Sequence, residues 1–364
     1  MYQRLVAMLL LTSTLLGCGQ PQSQAARPAP AGEPSAAAGG GQGTPAPTGS
    51  QPATPAQPAQ PTTIRVAGAG VSGNLMTPWA TYEGGYFKKY HLDVDGVPDI
   101  AASTTAVQAV IARDIDVLNI TPNAAIEASL KGGADLVAIA NPPPGTGFWL
   151  YAPPEVRSLE DLRGKIVAAN QVGTSTYYAV DYAFRERGMV AGRDYEILSV
   201  GNQAAQLAAL EQGKVQAGVY SAPTTVKARK AGFAVLLDLN YVPFNANSII
   251  VRREMLDDPA GREALTRYLK ATAEAIARLR RDKPFALQVL QQYLKEDDPD
   301  ALEEVYQAYV PKQVPLVVPE AIPPVLESIA ERDPAARTAK PERYYDNSIV
   351  QDLQASGFID SLYR

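Results

Sequence analysis

From Thr63 onward the chain alternates short apolar, β-branched runs with helix-patterned runs, and this alternation restricts the possible folds more than any other feature. TTIRVAGA reads as a strand, NLMTPWATYEGGYF as a short helix and LDVDGVP as a second strand. STTAVQAVIARD follows as a helix, with Ser103 or Thr104 placed to cap it; then come the strand DVLNITP, the helix NAAIEASLKGG and the strand LVAIANPPP. Such alternation requires an α/β layered domain with a mostly parallel sheet. Pro142-Pro143-Pro144-Gly145 interrupts it, and FWLYAPP continues as extended chain.

A second α/β unit comes next. It comprises a short helix, glycine turn and strand over SLEDLRGKIVAAN, the helix TSTYYAVDYAFRERG, the strand EILSVGN and the helix QAAQLAALEQG. It continues with the strand KVQAGVYSAP, the helix TTVKARKAG and the strand FAVLLDL. After Asn247 the pattern is predominantly helical, from SIIVRREML through REALTRYLKATAEAIARLRRD to IPPVLESIAE. The terminal YYDNSIVQDLQASGFIDSLYR is amphipathic and is expected to dock on the body. About 300 residues take part, enough for two ordinary domains.

The residues ahead of this body have a different character. Arg4 precedes an apolar run from Leu5 to Leu16 that is shorter than the roughly 20 residues of a membrane span, as expected of a secretory signal. It ends in Leu15-Leu16-Gly17-Cys18, which resembles a bacterial lipobox, so residues 1–17 are expected to be a lipoprotein signal peptide and Cys18 the lipidated residue. Residues 18–62 are almost entirely Ala, Pro, Gly, Gln, Ser and Thr, as in PAPAGEPSAAAGGGQGTPAPTGSQPATPAQPAQP. Lacking large apolar side chains, they cannot offset the entropy of ordering and are expected to form a disordered tether.

Composition excludes several function classes. Net charge is −5 with no concentrated basic field, so no nucleic-acid partner is expected. One cysteine in the whole chain rules out an internal disulfide and a cysteine metal cluster, and a single histidine, His91, leaves little for metal chemistry; no metal and no cofactor are expected. Neither Gly70-Val71-Ser72-Gly73-Asn74 nor Gly173-Thr174-Ser175-Thr176-Tyr177 completes a nucleophile elbow, and no catalytic residue is assigned. Gly68, Gly70 and Gly73 have the G-x-G-x-x-G spacing of a dinucleotide turn, with Asp93 and Asp95 downstream. However, Pro78 and Gly84-Gly85 constrain the helix that would have to follow, so these glycines are read as a bare turn whose backbone amides, Gly70 included, approach a small solute.

Small polar residues recur where strands lead into helices: Ser72 and Asn74; Ser103 and Thr104; Thr121 and Asn123; Thr174, Ser175 and Thr176; Ser221 and Thr224. Each junction offers free backbone N–H groups at the positive end of a helix dipole. Either each hydroxyl caps its own helix, or several converge on one polar or anionic ligand.

The stretch TPWATYEGGYFKKYHLDVD resembles the opening of the type 2 periplasmic solute-binding proteins of the nitrate/sulfonate/taurine/thiamine-precursor group. Glu83, Gly85, Phe87, Leu92 and Val94 match their pattern, while His91 replaces the usual glycine. DLRGKIVAANQVGTSTYYAVDYAFRERGM resembles the segment opening their second lobe, and LAALEQGKVQAGVYSAP its return strand. The resemblance implies an α/β, two-lobed type 2 periplasmic binding protein fold with a helical C-terminal region. Residues 63–150 and 246–364 would form lobe 1, and residues 151–245 lobe 2. It also implies a pocket lined by Ser72, Asn74, Ser103, Thr104, Thr121 and Asn123 from lobe 1, and by Thr174, Ser175, Thr176 and Tyr177 from lobe 2, with Tyr220 and Asn245 near the return crossover. The implied protein is an extracytoplasmic, lipid-anchored monomer that delivers a small-molecule solute to an ABC permease and ATPase complex. A pyrimidine synthase shares the fold, but this chain lacks its cysteine motif and has no histidine in the pocket segments. An extracytoplasmic enzyme or ligand-sensing subunit on the same fold is the alternative.

Overall fold

A computed structural model describes residues 61–100, 103–140, 146–171, 174–242, 247–313, 322–330 and 333–364. The signal segment, Cys18, nearly all of the 18–62 tether and Asn245 lie outside the described residues.

The first part runs β1 (Thr62–Thr63), β2 (Val66–Gly68), α1 (Met76–Glu83), α2 (Tyr86–Lys89), β3 (Leu92–Asp93), α3 (Ser103–Ile111), β4 (Val117–Ile120), α4 (Pro122–Leu130) and β5 (Leu136–Ala140). NLMTPWATYEGGYF is broken rather than one helix: a 3-10 turn at Gly73–Leu75 leads into α1, and Gly85, at φ +72, separates α1 from α2. The second part runs β6 (Trp149–Ala152), β7 (Ile166–Ala169), α5 (Ser175–Arg185), β8 (Glu196–Ser199), α6 (Gln203–Glu211), β9 (Ala217–Tyr220), α7 (Thr224–Lys230) and β10 (Ala234–Asp238). The remainder comprises β11 (Ser248–Arg252), α8 (Arg253–Asp257), α9 (Pro259–Arg281), α10 (Lys283–Leu294), α11 (Pro299–Tyr309), α12 (Ile322–Ala330), α13 (Ser348–Ala355) and α14 (Phe358–Ser361).

These strands form two main sheets, ordered β2-β4-β11-β5 in the first lobe and β10-β6-β9-β7-β8 in the second. Both sheets are mixed, which corrects the expectation of mostly parallel pairing. β2 and β4 are parallel, as are β7 with β8 and β7 with β9. β11 runs antiparallel to β4 and β5, and β6 antiparallel to β9 and β10. β6 and β11 are the strands by which the chain crosses into each lobe, so they run against the strands wound within it.

The start of SIIVRREML is likewise a strand and not a helix. Ile249, Ile250 and Val251 are fully buried between β4 and β5, a central position that suits β-branched side chains. Short apolar runs have no periodicity that would separate the two states. α9 is legible: Asp258 caps it by accepting from the Gly261 N–H, Pro259 occupies the first turn, and Leu265, Tyr268, Leu269, Thr272, Ile276 and Leu279 form its buried stripe.

The C-terminal region divides its packing between the lobes. Ile349, Val350 and Leu353 of α13 join the first-lobe core with α9, whereas Ile322, Val325, Leu326 and Ile329 of α12 pack with Leu150, Phe184 and Tyr195 of the second. At the base of the first sheet, Asp116 accepts from the Arg65 backbone and guanidinium and from Arg252. Burial would raise its carboxyl, but these bonds outweigh burial and hold it below the usual carboxylate range.

Candidate functional site

A cavity of about 800 Å³ opens where the carboxyl ends of strands from both sheets face one another. This is where open α/β sheets place ligands, because each strand gives way there to a helix whose first N–H groups are unpaired. The first lobe contributes the bare turn Ala69–Ser72 after β2, then Asn74, Asp99, Ser103 at the start of α3, and Thr121 before α4. The second contributes Asn170 and Gln171 after β7, Thr174, Ser175 and Thr176 opening α5, Asn202 and Gln203 opening α6, and Ser221 and Thr224 after β9. Phe148 and Leu294 add apolar wall.

The junction hydroxyls are not spent on capping. Ser72, Thr121 and Thr174 all occupy N-cap positions with extended backbone, yet none makes a side-chain cap hydrogen bond; Asn202 does, accepting from the Ala205 N–H. The hydroxyls of Ser72, Thr174, Thr176 and Ser221 instead form short polar chains along the cavity wall. Thr174 donates to the Gln171 carbonyl at 2.6 Å, and Thr176 accepts from the Asn170 N–H at 3.1 Å. Ser221 is tied to Gln203 by its N–H and its hydroxyl, each at 2.9 Å, and approaches Ser72 across the lobes at 3.4 Å. Gly70 lies at φ +97, a conformation that favours glycine, and nothing stands within 4 Å of where its Cβ would be. Gly73 answers a different need: a Cβ there would sit 2.3 Å from Val305 Cγ1 on α11.

Of the residues singled out in the sequence, Gly70, Ser72, Asn74, Ser103, Thr121, Thr174, Ser175 and Thr176 meet in this cavity. Four described ones do not line it. Thr104 is exposed, about 100° around α3 from Ser103. Asn123 is buried within α4, Tyr177 is half-buried edge-on to Tyr178, and Tyr220 is buried beside Tyr151. Trp79 stacks on Tyr293 in the first-lobe core, and half-buried Trp149 packs against the second. Sequence reasoning missed Asp99 and the amides Asn170, Gln171, Asn202 and Gln203; polar amides at the ends of VAANQ and SVGNQ, beside helix starts, were the available signal.

No arginine, lysine or histidine is among the described residues lining the cavity, and Asp99 is its one carboxylate. Partial desolvation pushes the Asp99 carboxyl up, opposed by a hydrogen bond from the Gly70 N–H. No group of three or more His, Cys, Asp or Glu side chains able to hold a metal occurs among the described residues.

Residues 89–304 match the family model described as ABC transporter, phosphonate, periplasmic substrate-binding protein. The chain belongs to this family. Membership implies a small-molecule solute and an ABC permease and ATPase as partners. Solved substrate-binding proteins share the fold at low identity. The aliphatic sulphonate binding protein of Escherichia coli is 19% identical over 76% of this chain and 94% of its own, with a TM-score of 0.65. A putative periplasmic sulfonate-binding protein of Methylobacillus flagellatus KT is 16% identical over 82% and 97%, at 0.66. The periplasmic nitrate-binding protein of Synechocystis PCC 6803 is 14% identical over 81% and 89%, at 0.63. No curated protein matches the sequence.

In this substrate-binding protein the two crossovers are joined side by side beneath the cavity. Thr146 donates to the Leu239 carbonyl at 3.0 Å, and Asn240 accepts from the Gly147 N–H at 2.8 Å. Tyr309 of α11 lies under both lobes, donating to the Gly147 carbonyl at 3.1 Å. Burial pushes its hydroxyl up to about 12 despite hydrogen bonds with Ser221 and Ser72, so it stays neutral. Among the described residues no helix is long and apolar enough to cross a membrane.

Proposed function

We propose that this binding protein is a lipid-anchored, monomeric lipoprotein that captures a small solute bearing an oxyanion and presents it to an ABC importer. The observation that carries the ligand class is the convergence of helix starts whose N-cap hydroxyls are not used for capping. α3, α4, α5 and α6 all begin at the cavity wall, and Ser72, Thr121 and Thr174 have no capping role. Oxyanions are well served by backbone N–H groups and hydroxyls at the positive ends of helices, without a fixed countercharge. The lobes, residues 63–150 with 246–364 and residues 151–245, with α12 packed on the second, close by rotation about the joined crossovers at Thr146–Phe148 and Leu239–Asn240.

A thermal-shift panel of nitrate, alkanesulfonates, alkylphosphonates, thiamine precursors and aromatic acids tests the capture role. A ligand at 100 times its dissociation constant stabilises by about 2.7 kcal/mol, so an oxyanion class should raise the melting temperature by several degrees. The bound compound should be recovered chemically unchanged. Silence across the panel, or recovery of a product, would overturn the reading.

A further inference from the structure

The last turn of α11 carries the Tyr309 side chain, only 2% exposed, to the place where both lobes and a crossover meet. Leu302 and Val305 hold α11 in the first-lobe core, so the tyrosine moves with that lobe. Two glycines make room for its ring. A Cβ on Gly73 would lie 2.8 Å from Tyr309 Cδ2, and one on Gly147, at φ +66, would lie 2.5 Å from Cε1. Gly73 belongs to the first-lobe turn and Gly147 to the crossover that leads into β6. The hydroxyl uses its whole hydrogen-bonding capacity, which for a phenol is one proton and two acceptor positions. Its proton goes to the Gly147 carbonyl, which can only accept, so Ser72 and Ser221 donate to the oxygen. Ser72 stands in the first lobe and Ser221 in the second, and both line the cavity. Ser221 in turn accepts from the side-chain amide of Gln203, which opens α6.

From this arrangement we infer that Tyr309 is a positioning residue that couples lobe closure to the solute-facing hydroxyls, by holding Ser72 and Ser221 in register across the lobes. The inference rests on the solute-capture reading above and adds to it the side chain that keeps the two half-sites together. Rotation about the joined crossovers carries Ser221 away from Tyr309, while Ser72, on the same lobe as α11, stays beside it. The bond from Ser221 therefore exists only in the arrangement in which both serines face one solute. Its net worth is that of one ordinary buried hydrogen bond, enough to favour this arrangement by a factor of about five. A solute that needs both lobes then meets a protein already biased toward its bound form. Phenylalanine would fill the same space between Gly73 and Gly147 without making any of these bonds, so the coupling lies in the hydroxyl.

The test uses the full-length protein carrying Cys18→Ser, spin-labelled at Asp95→Cys and Lys214→Cys, exposed positions on the first and second lobes. Double electron–electron resonance reads the distribution of distances between them. Without solute, Tyr309→Phe should lower the ratio of closed to open populations about fivefold. Ser221→Ala should do the same, and the two together should do no more, because both remove one bond between the lobes. Calorimetry with ethanesulfonate and ethylphosphonate should show binding to Tyr309→Phe weakened by up to the same factor. A tyrosine with only a packing role would leave the distance distribution of Tyr309→Phe unchanged. That outcome, or additive shifts in the double variant, would overturn the inference. Absence of binding by both probes to the parent chain would count against oxyanion capture instead, and the solute-free distances would still decide the role of Tyr309.

Discussion

Gly70 joins backbone conformation to ligand contact within one residue. Its φ of +97 costs an L-residue strain, and the open space where a side chain would stand is the cavity itself. Gly70→Val should therefore lower solute affinity at least tenfold, by filling the site and by turning the N–H away from Asp99. Calorimetry with the best-binding probe reads this directly, and NAD should bind neither the variant nor the parent chain. An unchanged affinity would remove this turn from the site. Gly73, three residues on, has the same identity for another reason, since it lets the turn pack against Val305 and Tyr309. The spacing of the glycines was plain in the sequence, but which was kept free for a ligand and which for a helix depended on what came to lie opposite.

α7 and the segment leading into α11 make the corresponding contact between elements. Lys227, Arg229 and Lys230 of α7, in the second lobe, pair with Glu304 of α11 and with Glu296 and Asp298 just ahead of it, and α11 packs with the first lobe. Burial would raise the Glu296 carboxyl, but Lys227 overcomes it and the net position is lowered; Lys230 lowers Asp298 directly. A carboxylate whose folded pKa is lowered contributes stability that is complete above the unfolded value, near 4, and is lost as pH falls through the folded one. Urea unfolding should thus show stability falling as pH drops below about 4, with Lys227→Gln flattening part of that slope. At neutral pH this substitution should cost no more than about 1 kcal/mol, because the lysine is more than half exposed, and near 1 M salt the difference should vanish. A slope unaltered by Lys227→Gln would mean that the pair contributes nothing.

For the whole molecule, the decisive question is where it works. The lipobox-like Leu15-Leu16-Gly17-Cys18, followed by a Pro/Ala/Gly-rich stretch, accords with a binding body kept near its importer by a leash. Cys18→Ser should release the protein from membranes into the soluble extracytoplasmic fraction with solute binding intact. Continued lipid labelling and membrane association of the variant would contradict the anchor.

The sequence by itself determined the local units. Alternating patterns gave the α/β class, helix-start residues gave the strand-to-helix junctions, and the amphipathic C-terminal stretch foretold a docked helix. These follow from interactions within a few residues, which the chain carries openly. Tertiary structure alone decided the rest. It made SIIVR a central strand and turned β6 and β11 against their neighbours, because burial and crossover direction are set by distant segments. It placed Ser103 in the cavity and Thr104 outside, sent Asn123 and Tyr220 into the interior, and brought Asp99 to the wall. Facing a ligand depends on orientation between elements, and no single stretch of sequence contains it.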